Sequence, residues 1–206
     1  MTDSTAQQRT YSGTEPFPFG YTSTNLERFV ATLEGWRDVR TLDVGPVCQE
    51  NITFFAQRMG RHDACDMFLR LQRELDQKRN PANVFRHLDY PPRSFDGIQL
   101  WDLIDHLDDG QVKQLIERCF DILRSTGLLM LIAFEKKPVP TTINAFVTGR
   151  QCRVDLRRQP HLDLPWYCRH NRALMSLLSD FNVVKLFRYR NGLREVLIQK
   201  PGLVRD

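Results

Sequence analysis

The chain has 206 residues, 41% hydrophobic and 26% charged, with a formal net charge of +4, values ordinary for one soluble globular domain. A domain of this size buries a core without needing disulfides or a metal. Its longest apolar run, Leu128 to Phe134, is far short of the roughly 20 residues that cross a bilayer. The five cysteines, Cys48, Cys65, Cys119, Cys152 and Cys168, are odd in number and scattered, which fits a reducing compartment better than a disulfide framework. A cytoplasmic protein with no membrane span and no metal centre is expected.

The first residues are polar, rich in Ser, Thr, Gln, Gly and Pro, with no apolar h-region, so no secretory signal is expected and residues 1–22 read as a flexible arm. One domain follows over 23–206. Leu26, Phe29, Val30, Leu33 and Trp36 recur at helical spacing, with Ser23 to Asn25 as N-cap candidates. Arg40 to Gly45 reads as a short strand ending in a loop, and Asn51 to Met59 as a helix. Asp63 to Met67 is a second strand, followed by a helix through Leu71 and Leu75 that Asn80-Pro81 breaks. Asn83 to Leu88 is predicted as a third strand and Phe95 to Leu100 as a fourth. Val112, Leu115, Ile116, Cys119, Phe120 and Leu123 mark the clearest amphipathic helix. Leu128 to Phe134 is apolar throughout, as in a strand covered on both faces.

From Pro138 to Pro165 the pattern is irregular. A helix with Leu174, Leu177, Leu178 and Phe181 follows, and then Asn191-Gly192 between two strand-like runs, a strong hairpin signal. Alternating strands and helices imply a doubly wound, mostly parallel α/β sheet, here with seven strands and a C-terminal antiparallel hairpin.

Four places together resemble the class I S-adenosylmethionine-dependent methyltransferases, a Rossmann-like family. They are Thr41-Leu-Asp-Val-Gly45, the stretch from Leu88-Asp89 through Ser94-Phe95-Asp96 to Trp101-Asp102 and His106-Leu107, Leu123 to Ile132, and the terminal hairpin. The chain is similar to a small bacterial branch of that family. Its cofactor loop departs from the pattern: after Gly45 come Pro46, Val47, Cys48 and Gln49, so the later glycines are missing. Glycine there lets the backbone approach a ligand closely, and proline removes a donor.

The resemblance implies S-adenosylmethionine as cofactor. It implies binding by Asp43, Gly45, Pro46, Asp66 and Met67 (with Asp63 as the alternative acid to Asp66), by Asp89, and by Trp101. A carboxylate suits a ribose diol because it accepts two hydrogen bonds. Asn51 either caps the helix after the turn or contacts a ligand, and Cys48 reads as a small loop residue. Asp102 and His106, with Asp105, form a carboxylate–imidazole set able to take a proton from an acceptor, and the single histidine is a poor match to metal-ligand spacing.

Residues 138–172 fall where the family places substrate-covering elements. Arg157, Arg158, Trp166 and Tyr167 are the candidates for holding a small, anionic acceptor. Arg150, Arg153, Arg157, Arg158, Arg169 and Arg172 face only Asp155 and Asp163 in this stretch, yet no aromatic-and-basic nucleic-acid motif accompanies them. Arg188, Arg190 and Arg194 read as solvating the hairpin edge. The function implied is methyl transfer to a small molecule by a monomer or homodimer. The alternative is a catalytically inactive binding or regulatory protein on the same fold, supported by the altered loop.

Overall fold

A computed structural model describes residues 20–202. The expected arm falls mostly on residues 1–19, which lie outside the described residues, as do 203–206. The elements are β1 (Tyr21–Thr22), α1 (Thr24–Glu34), β2 (Arg40–Asp43), α2 (Gln49–Ala56), β3 (Arg61–Ala64), α3 (Met67–Asp76), β4 (Phe95–Trp101), α4 (Asp109–Ile122), β5 (Leu123–Phe134), β6 (Asn144–Thr148), β7 (Arg153–Arg158), α5 (Asn171–Leu177), β8 (Asn182–Arg188) and β9 (Leu193–Gln199). Short 3-10 helices lie at Pro81–Leu88, Leu103–His106 and Arg150–Cys152.

Local chemistry places the helix starts. The Ser23 hydroxyl accepts the Leu26 N–H at 2.9 Å at the head of α1. Asp66 does the same for the Leu69 N–H of α3 at 2.8 Å. Asp108 and Gln111 form a reciprocal capping box at α4. Replacing Asp108 with alanine should cost about 1 kcal/mol in urea unfolding, and no change would mean that packing alone sets this terminus.

The central sheet has six strands in the order β3-β2-β4-β5-β9-β8. β3, β2, β4 and β5 run parallel, while β9 and β8 are antiparallel. Gly192, at φ 85°, makes the predicted hairpin turn between β8 and β9. The order reverses between β2 and β4, and in open α/β sheets such a switch point is where ligands bind, beyond the carboxyl ends of the strands.

Two expectations are corrected. The sheet has six strands rather than seven, because residues 83–88 lie in a 3-10 helix. There Asn80 caps the turn through the Ala82 N–H and Pro81 opens it; this local cap overrides the apolar run. The segment after β5, irregular in its sequence pattern, also forms regular strands. β6 and β7 pair antiparallel, β1 adds to β7, and the three make a second sheet.

Two apolar layers sandwich the main sheet. One joins Phe68, Leu71, Leu115, Ile116, Leu174 and Phe181 to one face, and the other joins Phe29, Leu33, Phe55, Trp101 and Phe146 to the opposite face. No described helix is long and apolar enough to cross a membrane.

Candidate functional site

β2 ends at Asp43, and its carboxylate turns back into the protein at 3% exposure. Oδ1 accepts the Gly45 N–H at 2.8 Å and the Trp101 indole N–H at 2.7 Å, and Oδ2 accepts from Asn51 Nδ2 at 3.4 Å. Burial pushes the Asp43 carboxyl up to about 6, against the pull of these three donors.

Trp101 is the centre of the arrangement. It ends β4 with φ 48°, beside a register shift between Gln99 and Trp101. A bulky side chain in the left-handed region costs on the order of 1–3 kcal/mol and persists only when its surroundings fix it. Here the Asp43 bond and a parallel stack on Phe146, 5.9 Å between ring centroids and 4° between planes, hold it. The indole lies against Gly45: a Cβ placed there would sit 2.2 Å from Trp101 Cδ1.

Asn51, in the first turn of α2, ties the second sheet over this point. Its Nδ2 donates to the Phe146 carbonyl at 3.0 Å, and its Oδ1 accepts from the Thr148 N–H at 2.7 Å and hydroxyl at 2.8 Å. It is therefore a buried rivet between α2 and β6 rather than a helix cap. Cys48 packs with Ala145 and Val147 of β6, in keeping with a small loop residue, and burial pushes its thiol up.

The side chains that replace the missing glycines point elsewhere. Val47 is 47% exposed and Gln49 is exposed, so neither fills the space beyond β2. Asp66 reaches the same turn, accepting the Val47 N–H at 3.2 Å on the oxygen not used for its cap. Pro46 is buried beside Gly45, and Met67 is wholly buried in the core. Asp63 instead pairs with Arg40 at 2.8 Å.

Asp89 stands apart from this group. Its side chain is 92% exposed and pairs with Arg118 of α4 at 3.2 Å. The helical turn that replaced the third strand carries it there.

Asp102, Asp105 and His106 are brought together, all nearly sealed from solvent. His106 Nε2 lies 3.7 Å from Asp102 Oδ2, an electrostatic pairing too long for a hydrogen bond, and His106 Nδ1 is 2.9 Å from the Pro165 carbonyl. Burial alone would lower the imidazole pKa; the Asp102 carboxylate and the Pro165 carbonyl reverse that and raise it. Asp105 accepts the Phe134 N–H at 2.6 Å, and burial pushes its carboxyl up to about 7.

Of the acceptor candidates, Trp166 packs edge-on against His106 at 4.5 Å between ring centroids, and Tyr167 is 42% exposed. Arg157 reaches back to Glu50 at the head of α2 at 2.5 and 3.2 Å, and Arg158 is exposed. Replacing Arg157 and Arg158 together with alanine should leave the melting temperature unchanged, since exposed pairs of this kind contribute little. A marked drop would mean that the pair anchors β7 to α2.

Sequence reasoning missed two arginines. Arg194, read as an edge residue, is wholly buried, and its Nη2 donates to the Phe134 and Arg169 carbonyls at 3.1 and 2.6 Å. Arg169 is 7% exposed and binds Asp109 and the carbonyls of Ile104, Leu107 and Tyr167. Together they clamp residues 167–169 against the 3-10 turn that follows β4 and the end of β5. Strand alternation was the available signal for Arg194, which shares a parity with Val196 and Ile198.

No family model matches the chain, and no curated protein matches it. Solved structures do. A SAM-dependent methyltransferase from Methanosarcina mazei is similar with TM-score 0.53 and 14% identity over 87% of this chain and 98% of that one. The N-methyltransferase NodS of Bradyrhizobium japonicum gives 0.51 and 14% over 86% and 92%. DhpI in its SAH complex gives 0.54 and 13% over 87% and 83%. At these identities the likeness speaks for architecture, and it agrees with the strand order found: the chain carries the fold of the class I SAM-dependent methyltransferases.

Proposed function

We propose that the chain is an S-adenosylmethionine-dependent methyltransferase-like protein for a small, anionic acceptor, with Trp101 closing the cofactor end of its crevice. The observation that carries this reading is the gathering of Asp43, Gly45, Asp66 and Trp101 around the first strand-to-helix turn, at the switch in strand order. The cofactor supplies a methyl group already activated on sulfur, so the protein's task is mainly alignment and a dedicated nucleophile is not required.

In the conformation described, the ordinary pose does not fit. The indole occupies the approach to Gly45 that the methionine end of the cofactor would use. Entry requires Trp101 to leave Asp43. Asp66, half-buried at the turn, is the residue for the ribose hydroxyls, and the exposed Arg158 and Tyr167 are the side chains for the acceptor.

One observation favours a second reading. Asp43, Asn51, Trp101 and β6 already satisfy one another's polar groups, as in a finished core. A chain of that kind serves as a non-catalytic binding or regulatory protein.

Calorimetry with S-adenosylmethionine and S-adenosylhomocysteine separates the two. Micromolar binding to the native protein, lost in Asp66→Ala, carries the first reading. Silence at millimolar ligand in both the native protein and Trp101→Ala carries the second.

A further inference from the structure

At the amino edge of the main sheet, opposite the turn after β2, each parallel strand has an arginine within two residues of its start. Arg61 and Arg40 are the first residues of β3 and β2, Arg93 lies two residues before β4, and Arg124 is the second residue of β5. The strands are neighbours in the order β3-β2-β4-β5, and parallel strands lie about 4.8 Å apart. The four arginines, with Ser94 and Asp38, line one cleft of about 620 Å³.

The four differ in what they already hold. Arg40 is bonded to both oxygens of Asp63, at 2.8 and 3.1 Å. Arg124 Nη1 is 2.9 Å from each oxygen of Asp96, and Asp96 also accepts the Arg40 N–H at 2.8 Å. These two are fixed. Arg61 and Arg93 are exposed, and among the described residues their guanidinium groups have no hydrogen-bonded or ion-paired partner. Arg93 is also held in the left-handed region at φ 56°. Lys200 is near enough that Arg93 adds to the lowering of its pKa, after burial. Asp38 is the remaining carboxylate on the wall.

We propose that this cleft binds a small phosphate-bearing anion, with Arg61 and Arg93 as its ligands. A guanidinium fork matches two phosphate oxygens. The Arg40–Asp63 and Arg124–Asp96 pairs brace the wall behind them, so less order is lost on binding. A bounded recess, rather than a basic stripe along a surface, suits a small anion over a nucleic-acid strand. The proposal is independent of the methyltransferase reading.

Calorimetry with inorganic pyrophosphate at fixed ionic strength tests it on the whole chain. Saturable one-site binding is expected, weakened about tenfold or more in the double variant Arg61→Ala, Arg93→Gly. Glycine accepts φ 56° freely, so the melting temperature of that variant should hold. Asp38→Asn, which removes the cleft's own negative charge, should tighten binding, while Arg172→Ala, which removes one positive charge from α5 away from the cleft, should leave it unchanged. Repeating the titration with ADP identifies the source: tighter binding points to an organic phosphate and equal or weaker binding to the free anion, and both sustain the proposal. Equal heats in the native protein and the double variant overturn it. So does binding of a single-stranded RNA oligomer with no saturable response to pyrophosphate.

Discussion

Trp101→Ala should destabilise the protein by about 3–5 kcal/mol, the usual cost of removing a buried large aromatic side chain. Three effects combine. The indole is 1% exposed, so its removal leaves a cavity between Gly45 and Phe146. Asp43, already buried, loses its 2.7 Å donor, and an under-satisfied buried carboxylate is costly. The opposing term is release of the left-handed backbone at φ 48°, which recovers a minor part.

A double-mutant cycle with Gly45 isolates the contact. Gly45→Ala alone sets a Cβ 2.2 Å from Trp101 Cδ1, and the ring cannot retreat because Phe146 backs it. Overpacking of this kind costs about 1–3 kcal/mol. In the Trp101→Ala background the nearest remaining atom is Asp43 Oδ1 at 3.2 Å, so most of that penalty should vanish. Urea unfolding of the four proteins gives the coupling. Strict additivity would mean that Trp101 does not press on Gly45, and the closed-crevice description would fall with it.

Asp105→Ala should be comparably damaging, at about 3–5 kcal/mol. The Phe134 N–H, bonded at 2.6 Å, would lose its acceptor. Arg194, wholly buried, would lose a carboxylate whose charge acts on it. Asp105→Asn keeps an acceptor for Phe134 and should cost clearly less. If the two variants are equally destabilised, the buried bond to Phe134 contributes nothing.

The same cluster sets a pH dependence. Asp105 titrates near 7 in the folded protein and Asp43 near 6, against about 3.9 when unfolded. At these two carboxyls the folded state binds more protons, so their contribution falls as pH rises from about 4 to about 7. His62, pushed down to about 4 by burial, acts the other way up to about 6.5 and is one group against the two carboxyls. His106 acts in the same direction as the carboxyls: its folded pKa is raised, so its contribution is complete below about 6.5 and is lost as pH climbs through the raised value. Glu50 and Glu74 are held below their ordinary values, by hydrogen bonds from Arg157 and Asn83 respectively, and oppose this trend only below about pH 4.5, where they begin to protonate. The urea midpoint should accordingly be higher at pH 5 than at pH 8, and Asp105→Asn should flatten the difference. A midpoint that rises toward pH 8 would contradict the described burial of Asp43, Asp105 and His106.

Much of the architecture was legible in the amino-acid order because its causes are local. The 3.6-residue period gave α1 and α4, the candidates Ser23 to Asn25 bracketed the start of α1, and Asn191-Gly192 gave the hairpin. The reversed last strands and the Asp43–Gly45 turn followed from motif order. The segment 83–88 escaped because its outcome depends on a competition. A capped proline turn at Asn80-Pro81 won over an apolar run that, as a strand, needed the open edge of β3.

The crevice was decided at long range. Gly45 and Trp101 were each visible as candidate ligand contacts, but that one fills the space before the other depends on β2 and β4 ending side by side, 58 residues apart in the chain. Arg194 shows the same limit: its charge suggested solvent, whereas its register in β9 turns it inward with Val196. Local pattern fixes which face a residue takes and where an element begins. The partners that satisfy a buried carboxylate or fill the space above a glycine are supplied by distant strands, and only the packed sheet brings them within bonding distance.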